Sequence, residues 1–371
     1  MRSRWRHAIS NFLRLTLPTL AACFALGEIV FRTLVPAAES PAVVFDGAHG
    51  VVHYDPAVAR TGVKTLGPSA RTRARWRIND AGWNSSVEYD ARRVAGRPLI
   101  AIIGDSFIEA LQVDVDRNVG ALVRQQLRGK ADVYSFGMSG APLSEYLRMS
   151  RYVVREFHPD IIVINVVHND FDQSVRTLKP NSLVLQVTPE GGSFREVAPI
   201  AFEPDRVRRI LAHSAVIRYL VLNCLIAQIP RRLAAALRNE ASGENQWNAN
   251  TDPRALLREE PLIRRSLAAI MRTVRAENPG TRIIYMMDAP RRDIYAGTLA
   301  TSNLRWLTQM VRETAEANGS EFVDLTPTFA EYWSAQHRIL NDPGDYHWNQ
   351  TGHRLAAEAL LRALSYNVFR Y

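Results

Sequence analysis

Five short, largely apolar runs constrain this chain more than anything else in it: residues 99–103, 132–136, 161–167, 282–287 and 321–324. A strand covered on both faces reads as a nearly continuous hydrophobic run, and such strands belong to parallel sheets roofed by crossover helices. The intervals supply those helices, with 3.6-residue periodicity over 119–128, 143–157, 261–277, 303–318 and 350–364. Strand alternating with helix predicts a doubly wound, three-layer α/β/α sandwich of the flavodoxin-like kind, with a five-stranded parallel sheet. At 371 residues the chain holds one such domain, 98–371, with appendages.

Two stretches break the rhythm. Residues 36–97 are rich in Pro, Gly, Asp and Arg without a sustained period, and read as a linker and irregular lead-in. Within it, Asn79-Asp80-Ala81-Gly82 predicts a tight turn. Residues 202–250 form a helical insertion, with amphipathic patterns at 207–222 and 230–237 and a polar loop at 239–252. Its plain reading is an excursion packed on one edge of the sheet; its sharper reading is a lid or substrate wall.

The N-terminus sets the compartment. Arg2, Arg4, Arg6 and Arg14 precede an apolar stretch from Leu15 to Val35, interrupted by Pro18, Glu28 and Arg32. About 20 residues span a bilayer as a helix, so residues 1–35 read as a basic cytoplasmic tip and a single-pass anchor. The protein is then expected in a bacterial inner membrane, with its folded domain periplasmic or otherwise extracytoplasmic. Two rivals lead to the same export: a signal peptide cleaved near Val35-Pro36-Ala37, and a lipoprotein modified at Cys23 in Leu20-Ala21-Ala22-Cys23. Beyond the anchor the only thiol is Cys224, which suits an oxidising compartment.

Charge at first invites a different partner. The net charge is +9, which in a soluble chain raises the question of nucleic acid. Residues 1–35, with five Arg against Glu28, account for +4 of it, and the remaining Arg are scattered among acids, as in 272–277. No basic stripe interleaved with aromatics is present in the sequence, so no nucleic-acid partner is expected, and the excess is a topology signal.

The chemistry gathers at strand ends. The run 99–103 delivers Gly104-Asp105-Ser106-Phe107 at its C-terminal end, where ligands bind in open α/β sheets. A serine there opens a helix, whose free N–H groups favour a developing negative charge; the plain alternative is an Asp-Ser helix cap. A hydroxyl needs a base, and a base needs an orienting carboxylate. His347 with Asp345, in Gly344-Asp345-Tyr346-His347-Trp348-Asn349, supplies both just before the last helix, and Asp342 is a second possible orienter. A metal held by His347 with His353 lacks a third ligand at recognisable spacing, so neither metal nor cofactor is expected. His353, His158, His168 and His213 read as structural or surface residues. Ser139-Gly140 after the second strand and Asn169-Asp170 after the third offer further donors, which with the Ser106 amide make three for an oxyanion: the Ser106 and Gly140 N–H groups and the Asn169 side-chain amide.

In that order these motifs resemble the SGNH (GDSL-type) hydrolase superfamily, in which Ser, Gly, Asn and His occupy four sequence blocks. The resemblance runs from about Asn79 to Leu364, and the Ile78-Asn79-Asp80-Ala81-Gly82-Trp83 lead-in with its N-terminal anchor is similar to that of membrane-tethered bacterial members. Two positions depart from the pattern. Asp345 stands two residues before the histidine rather than three, a spacing that with Trp348-Asn349 resembles alginate O-acetyltransferase-like proteins; and Val167 stands where the third block usually has Gly. The resemblance implies a serine esterase working through an acyl-enzyme, with Ser106, His347 and Asp345 catalytic and Ser106, Gly140 and Asn169 forming the oxyanion hole. Its expected substrates are acylated carbohydrates or other esters, foremost O-acetyl groups of envelope or exported polysaccharide. A polysaccharide O-acyltransferase would use the same residues, and a non-catalytic glycan-binding envelope protein is the alternative from another class. Oligomeric state is not legible.

Overall fold

The computed structural model describes residues 12–70, 72–92, 95–202, 212–226, 251–342 and 345–368. The chain enters through a π-helical turn, Phe12–Thr16, that runs into α1 (Leu17–Thr33). Together they make 22 residues, Phe12–Thr33, with no buried side chain, the one segment among the described residues long and apolar enough to cross a membrane. Cys23 is exposed in the middle of α1.

The lead-in is not irregular. It folds into two antiparallel hairpins, β1 (Val43–Asp46) with β2 (Val51–Tyr54), and β3 (Thr61–Leu66) with β4 (Thr72–Arg77). The turn expected at Asn79 is present: Gly82 takes φ 84° and donates its N–H to the Asn79 carbonyl at 3.0 Å. Trp83, which follows it, is fully buried against Phe136 and Tyr152.

The sheet then begins with β5 (Leu99–Gly104), followed by α2 (Ser106–Glu109), α3 (Val119–Gln126), β6 (Asp132–Gly137), α4 (Leu143–Phe157), β7 (Ile161–Val166) and α5 (Asp170–Gln173). A hairpin, β8 (Gln186–Glu190) and β9 (Ser193–Val197), and the short α6 (Ala215–Arg218) precede α7 (Pro253–Arg258) and α8 (Glu260–Glu277). The chain finishes with β10 (Arg282–Met287), α9 (Arg291–Ala296), α10 (Arg305–Ala317), β11 (Glu321–Asp324), α11 (Thr326–Gln336) and α12 (Gln350–Val368). Of the expected insertion helices, 212–222 of the first lies among the described residues; the second, 230–237, and the loop over 239–250 lie outside them.

The five expected strands form one parallel sheet in the order β11-β10-β7-β5-β6. This is the doubly wound arrangement, with its switch of direction between β5 and β7. Alternation along β5 shows how two cores arise from one strand. Leu99, Ala101 and Ile103 face a cluster with α4, α8, α10 and the lead-in hairpins, whereas Ile100 and Ile102 face one with α3, α11 and α12. The three layers follow from that division, and the lead-in belongs to the first core as a cover over α4.

Candidate active site

The topological switch places three strand ends side by side: β5, with β6 on one side and β7 on the other. Each ends in one of the motifs singled out in the sequence. After β5, Asp105 takes a non-helical conformation and its carboxylate accepts the Phe107 N–H at 2.9 Å, capping α2 so that Ser106 is its first residue. The whole single turn is buried, Ser106 is 8% exposed, and the turn ends at Ala110 with φ 56°. Gly137 makes this turn's position possible: a Cβ there would lie 1.9 Å from the Glu109 backbone nitrogen. Gly140, in the loop after β6, has φ 77° and open space around it.

His347 arrives from the far end of the chain. Trp348 behind it is fully buried, pinned by a 2.8 Å hydrogen bond from its indole N–H to Asp288 and packed at 5.0 Å against Phe107, the neighbour of Ser106. Phe107 also meets the His347 ring at 5.1 Å, so one aromatic cluster fixes both partners. The result is a continuous relay: Ser106 Oγ lies 2.7 Å from His347 Nε2, and His347 Nδ1 lies 2.5 Å from Asp345 Oδ1. The Asp345 carboxylate also accepts the His347 backbone N–H at 3.1 Å.

The two candidate orienters differ electrostatically. Burial works to raise the Asp345 pKa, but the hydrogen bond and charge of His347 and its backbone N–H outweigh it and hold the carboxyl below its ordinary range. Asp342 goes the other way, pushed up to about 6 by burial and by the charge of Asp345, against a smaller pull from His347. Its contact with the motif is through its carbonyl, which accepts the Asp345 N–H at 3.0 Å.

On the β7 side, Asn169 is buried, its amide Nδ2 donates to Gln173 Oε1 at 3.2 Å, and its Oδ1 has no hydrogen-bond partner. Val167, the departure from the third block, is fully buried in the core with Phe107 and Ile108. Asp170 accepts hydrogen bonds from the Tyr146 hydroxyl at 3.0 Å and the Val167 N–H at 2.8 Å, tying the strand end to α4. Burial, and after it the nearby charge of Asp105, drives the Asp170 pKa well up; burial likewise pushes Asp105 up to about 7.

Sequence reasoning missed Glu109. Its carboxylate, 2% exposed, accepts the Tyr54 hydroxyl from β2, the Ser139 N–H at 2.9 Å and the Ser139 hydroxyl at 2.5 Å. Its carbonyl accepts Asn84 Nδ2 at 2.7 Å. One side chain therefore fastens the lead-in, the Ser106 turn and the loop bearing Gly140. The only signal was an acid three residues after the serine, which is common on helix faces. Glu109→Ala should leave these donors unsatisfied and let the loop relax, lowering kcat by roughly 10- to 100-fold with a smaller change in KM. Steady-state kinetics on a short-chain ester, beside a melting curve, checks it.

His353 makes a prediction of its own. It is fully buried edge-on to Trp348, neither ring nitrogen has a partner, and burial, with the charges of His347 and Arg291, drops its pKa to about 3. A depressed histidine pKa contributes stability that is complete above its unfolded value of about 6.5 and is lost as pH falls toward the folded one. Between pH 6.5 and 4.5 this amounts to about 2 kcal/mol. Denaturant titrations of the wild type and His353→Leu at both pH values should show a flatter pH response in the variant.

Comparison with known proteins gives the family. The family model described as GDSL-like lipase/acylhydrolase matches residues 102–355. Solved structures similar to the chain include LAE5, an alpha/beta hydrolase enzyme from the metagenome of Lake Arreo, at 15% identity and TM-score 0.38, covering 73% of this chain and 97% of that one. The acetyl xylan esterase AlAXEase is 15% identical with TM-score 0.41, covering 72% and 99%. A member of the lipolytic protein G-D-S-L family from Veillonella parvula is 11% identical with TM-score 0.40, covering 72% and 98%. A search of curated proteins gave no significant match.

Proposed function

The chain belongs to the GDSL-like lipase/acylhydrolase family and is an ester-bond hydrolase, and from that premise we propose that it is a membrane-anchored serine esterase removing short acyl groups, foremost O-acetyl, from envelope or exported polysaccharide. The observation that carries the reading is the Ser106–His347–Asp345 relay, whose two links measure 2.7 and 2.5 Å.

Ser106 Oγ attacks the ester carbonyl carbon while its proton passes to His347 Nε2. Asp345 accepts the Nδ1–H of His347, holds the tautomer that leaves Nε2 basic, and stabilises the imidazolium that forms. The negative charge developing on the carbonyl oxygen is met by the Ser106 and Gly140 amides and the Asn169 side chain. Collapse of the intermediate expels the alcohol, which takes the proton from His347. Water then attacks the acyl-enzyme, again giving its proton to His347, and the free acid leaves as Ser106 recovers its hydrogen.

For the compartment, we read the 22-residue apolar helix as spanning the inner membrane, with Arg2, Arg4, Arg6 and Arg14 on the cytoplasmic side and the catalytic domain outside. The test is an acetyl-ester assay on the full chain in detergent, with O-acetylated polysaccharide as substrate and mass spectrometry as readout. Acetate release, with p-nitrophenyl acetate cleaved faster than the palmitate ester, is the expected result. Transfer of acetyl to an added sugar acceptor would reassign the enzyme as an O-acyltransferase, and no turnover of any ester would remove the acyl-enzyme reading.

A further inference from the structure

Glu28 is out of place in a membrane-spanning helix unless something meets its charge, and the structure shows what does. Its carboxylate accepts the Ser214 hydroxyl, the Ala215 N–H at 3.0 Å and the Val216 N–H at 3.1 Å. Ser214 in turn accepts the Ile217 N–H at 3.2 Å, so the first three amides of the helical segment 215–223 are satisfied jointly by Ser214 and by a side chain of α1. Arg32, one turn along α1, pairs with Glu28 at 2.9 Å and donates to the His213 carbonyl at 2.7 Å. Both charges that interrupt the apolar stretch are therefore spent on one joint with the insertion. The positive end of the segment 215–223 faces an acid, the favourable sense.

The rest of the joint is close-packed. Phe31 stacks on Tyr219 with ring centres 3.8 Å apart, and a Cβ at Gly27 would meet Val216 Cγ2 at 3.0 Å. At its other end the segment is fastened to the folded domain: buried Asn223 bonds Thr65 Oγ1 at 2.9 Å, the Gly67 carbonyl at 3.1 Å and the Ala38 N–H at 2.8 Å. The segment thus starts beside Glu28, five residues inside the end of α1, and leaves beside the β3–β4 hairpin. It also exposes Leu220, Val221 and Ile226, at 39%, 41% and 40%, beside α1, which itself exposes Leu20, Phe24, Leu26 and Ile29.

Building on the anchor reading given above, we propose that residues 213–226 are a second membrane-contacting element. They seat in the outer polar–apolar boundary of the bilayer beside α1 and hold the catalytic domain against the membrane in a fixed orientation. The partner is lipid, because the exposed apolar side chains continue a surface that the bilayer already covers, and because the polar backbone at that depth is satisfied internally. Residues 213–226 then serve as a membrane rest rather than as part of a lid or a passive edge.

The test uses the full chain in lipid nanodiscs, with Cys23 and Cys224 replaced by Ser and an environment-sensitive fluorophore placed at Leu220→Cys. Arg354→Cys on α12, on the opposite face of the sheet from the lead-in, is the aqueous control. Nitroxide lipids should quench the label at 220 several-fold more than the label at 354, and Glu28→Ala should reduce that quenching while the chain stays in the membrane. Equal quenching at 220 and 354 in a chain that resists carbonate extraction would overturn the proposal and leave the anchor standing. Release of the chain by carbonate would overturn the anchor reading and this proposal with it.

Discussion

Ser106→Ala is expected to lower ester turnover by about 10⁴- to 10⁶-fold and to abolish labelling by a fluorophosphonate probe, with little change in melting temperature. The size follows from what the hydroxyl does: without it the acyl-enzyme cannot form, and only binding and oxyanion stabilisation remain. Stability should hold because the α2 cap is supplied by Asp105, which accepts the Phe107 N–H, and not by the serine. His347→Ala should cost a comparable factor, and the double variant should be scarcely worse than either, since residues that act as a unit do not lose activity additively. Full probe labelling retained in Ser106→Ala would exclude it as the nucleophile. Additive losses in the double variant would separate His347 from the same proton path, whatever the 2.7 Å contact between them.

The parallel sheet was legible because its strands are hidden on both faces. β5 and β7 are buried at every residue, and residues of that kind leave an unbroken apolar signature. The lead-in hairpins left none. Along β4, only Ala74 and Trp76 turn inward among arginines and threonine, and β1 is only partly buried throughout, so neither strand alternates long enough to be read. α11 was missed for a related reason: Phe329 is its one buried side chain, and no stripe forms. At the site, Ser106 and His347 were legible because strand ends and local spacing mark them. Glu109 and Asp288 were not. Their partners lie on other elements or depend on a loop's path, as with the Asp288 carboxylate that receives the Trp348 indole from 60 positions away. Glu28 shows the opposite case, a residue that weakened a sequence reading because its partner, Ser214, is 186 positions distant.

The two acids before His347 are best separated by experiment. Asp345→Asn should cut kcat by roughly 10³- to 10⁴-fold, because an amide presents a donor as readily as an acceptor to Nδ1, which favours the tautomer with Nε2 protonated and unable to take the serine proton. Asp342→Asn should stay within a few-fold of the wild type, since its carboxyl is not on the imidazole and its carbonyl, which accepts the Asp345 N–H at 3.0 Å, survives the change. Its electrostatic effect has a definite sign. Asp342, with its pKa pushed up to about 6, becomes charged as pH rises through that value and then opposes ionised Asp345 while favouring protonated His347. Neutralising it should therefore lower the acidic limb of the kcat/KM profile by a fraction of a pH unit, without lowering the plateau. Full pH–rate profiles of both variants provide the check: a large loss in Asp342→Asn with a small one in Asp345→Asn would transfer the orienting role to the acid five residues before the histidine.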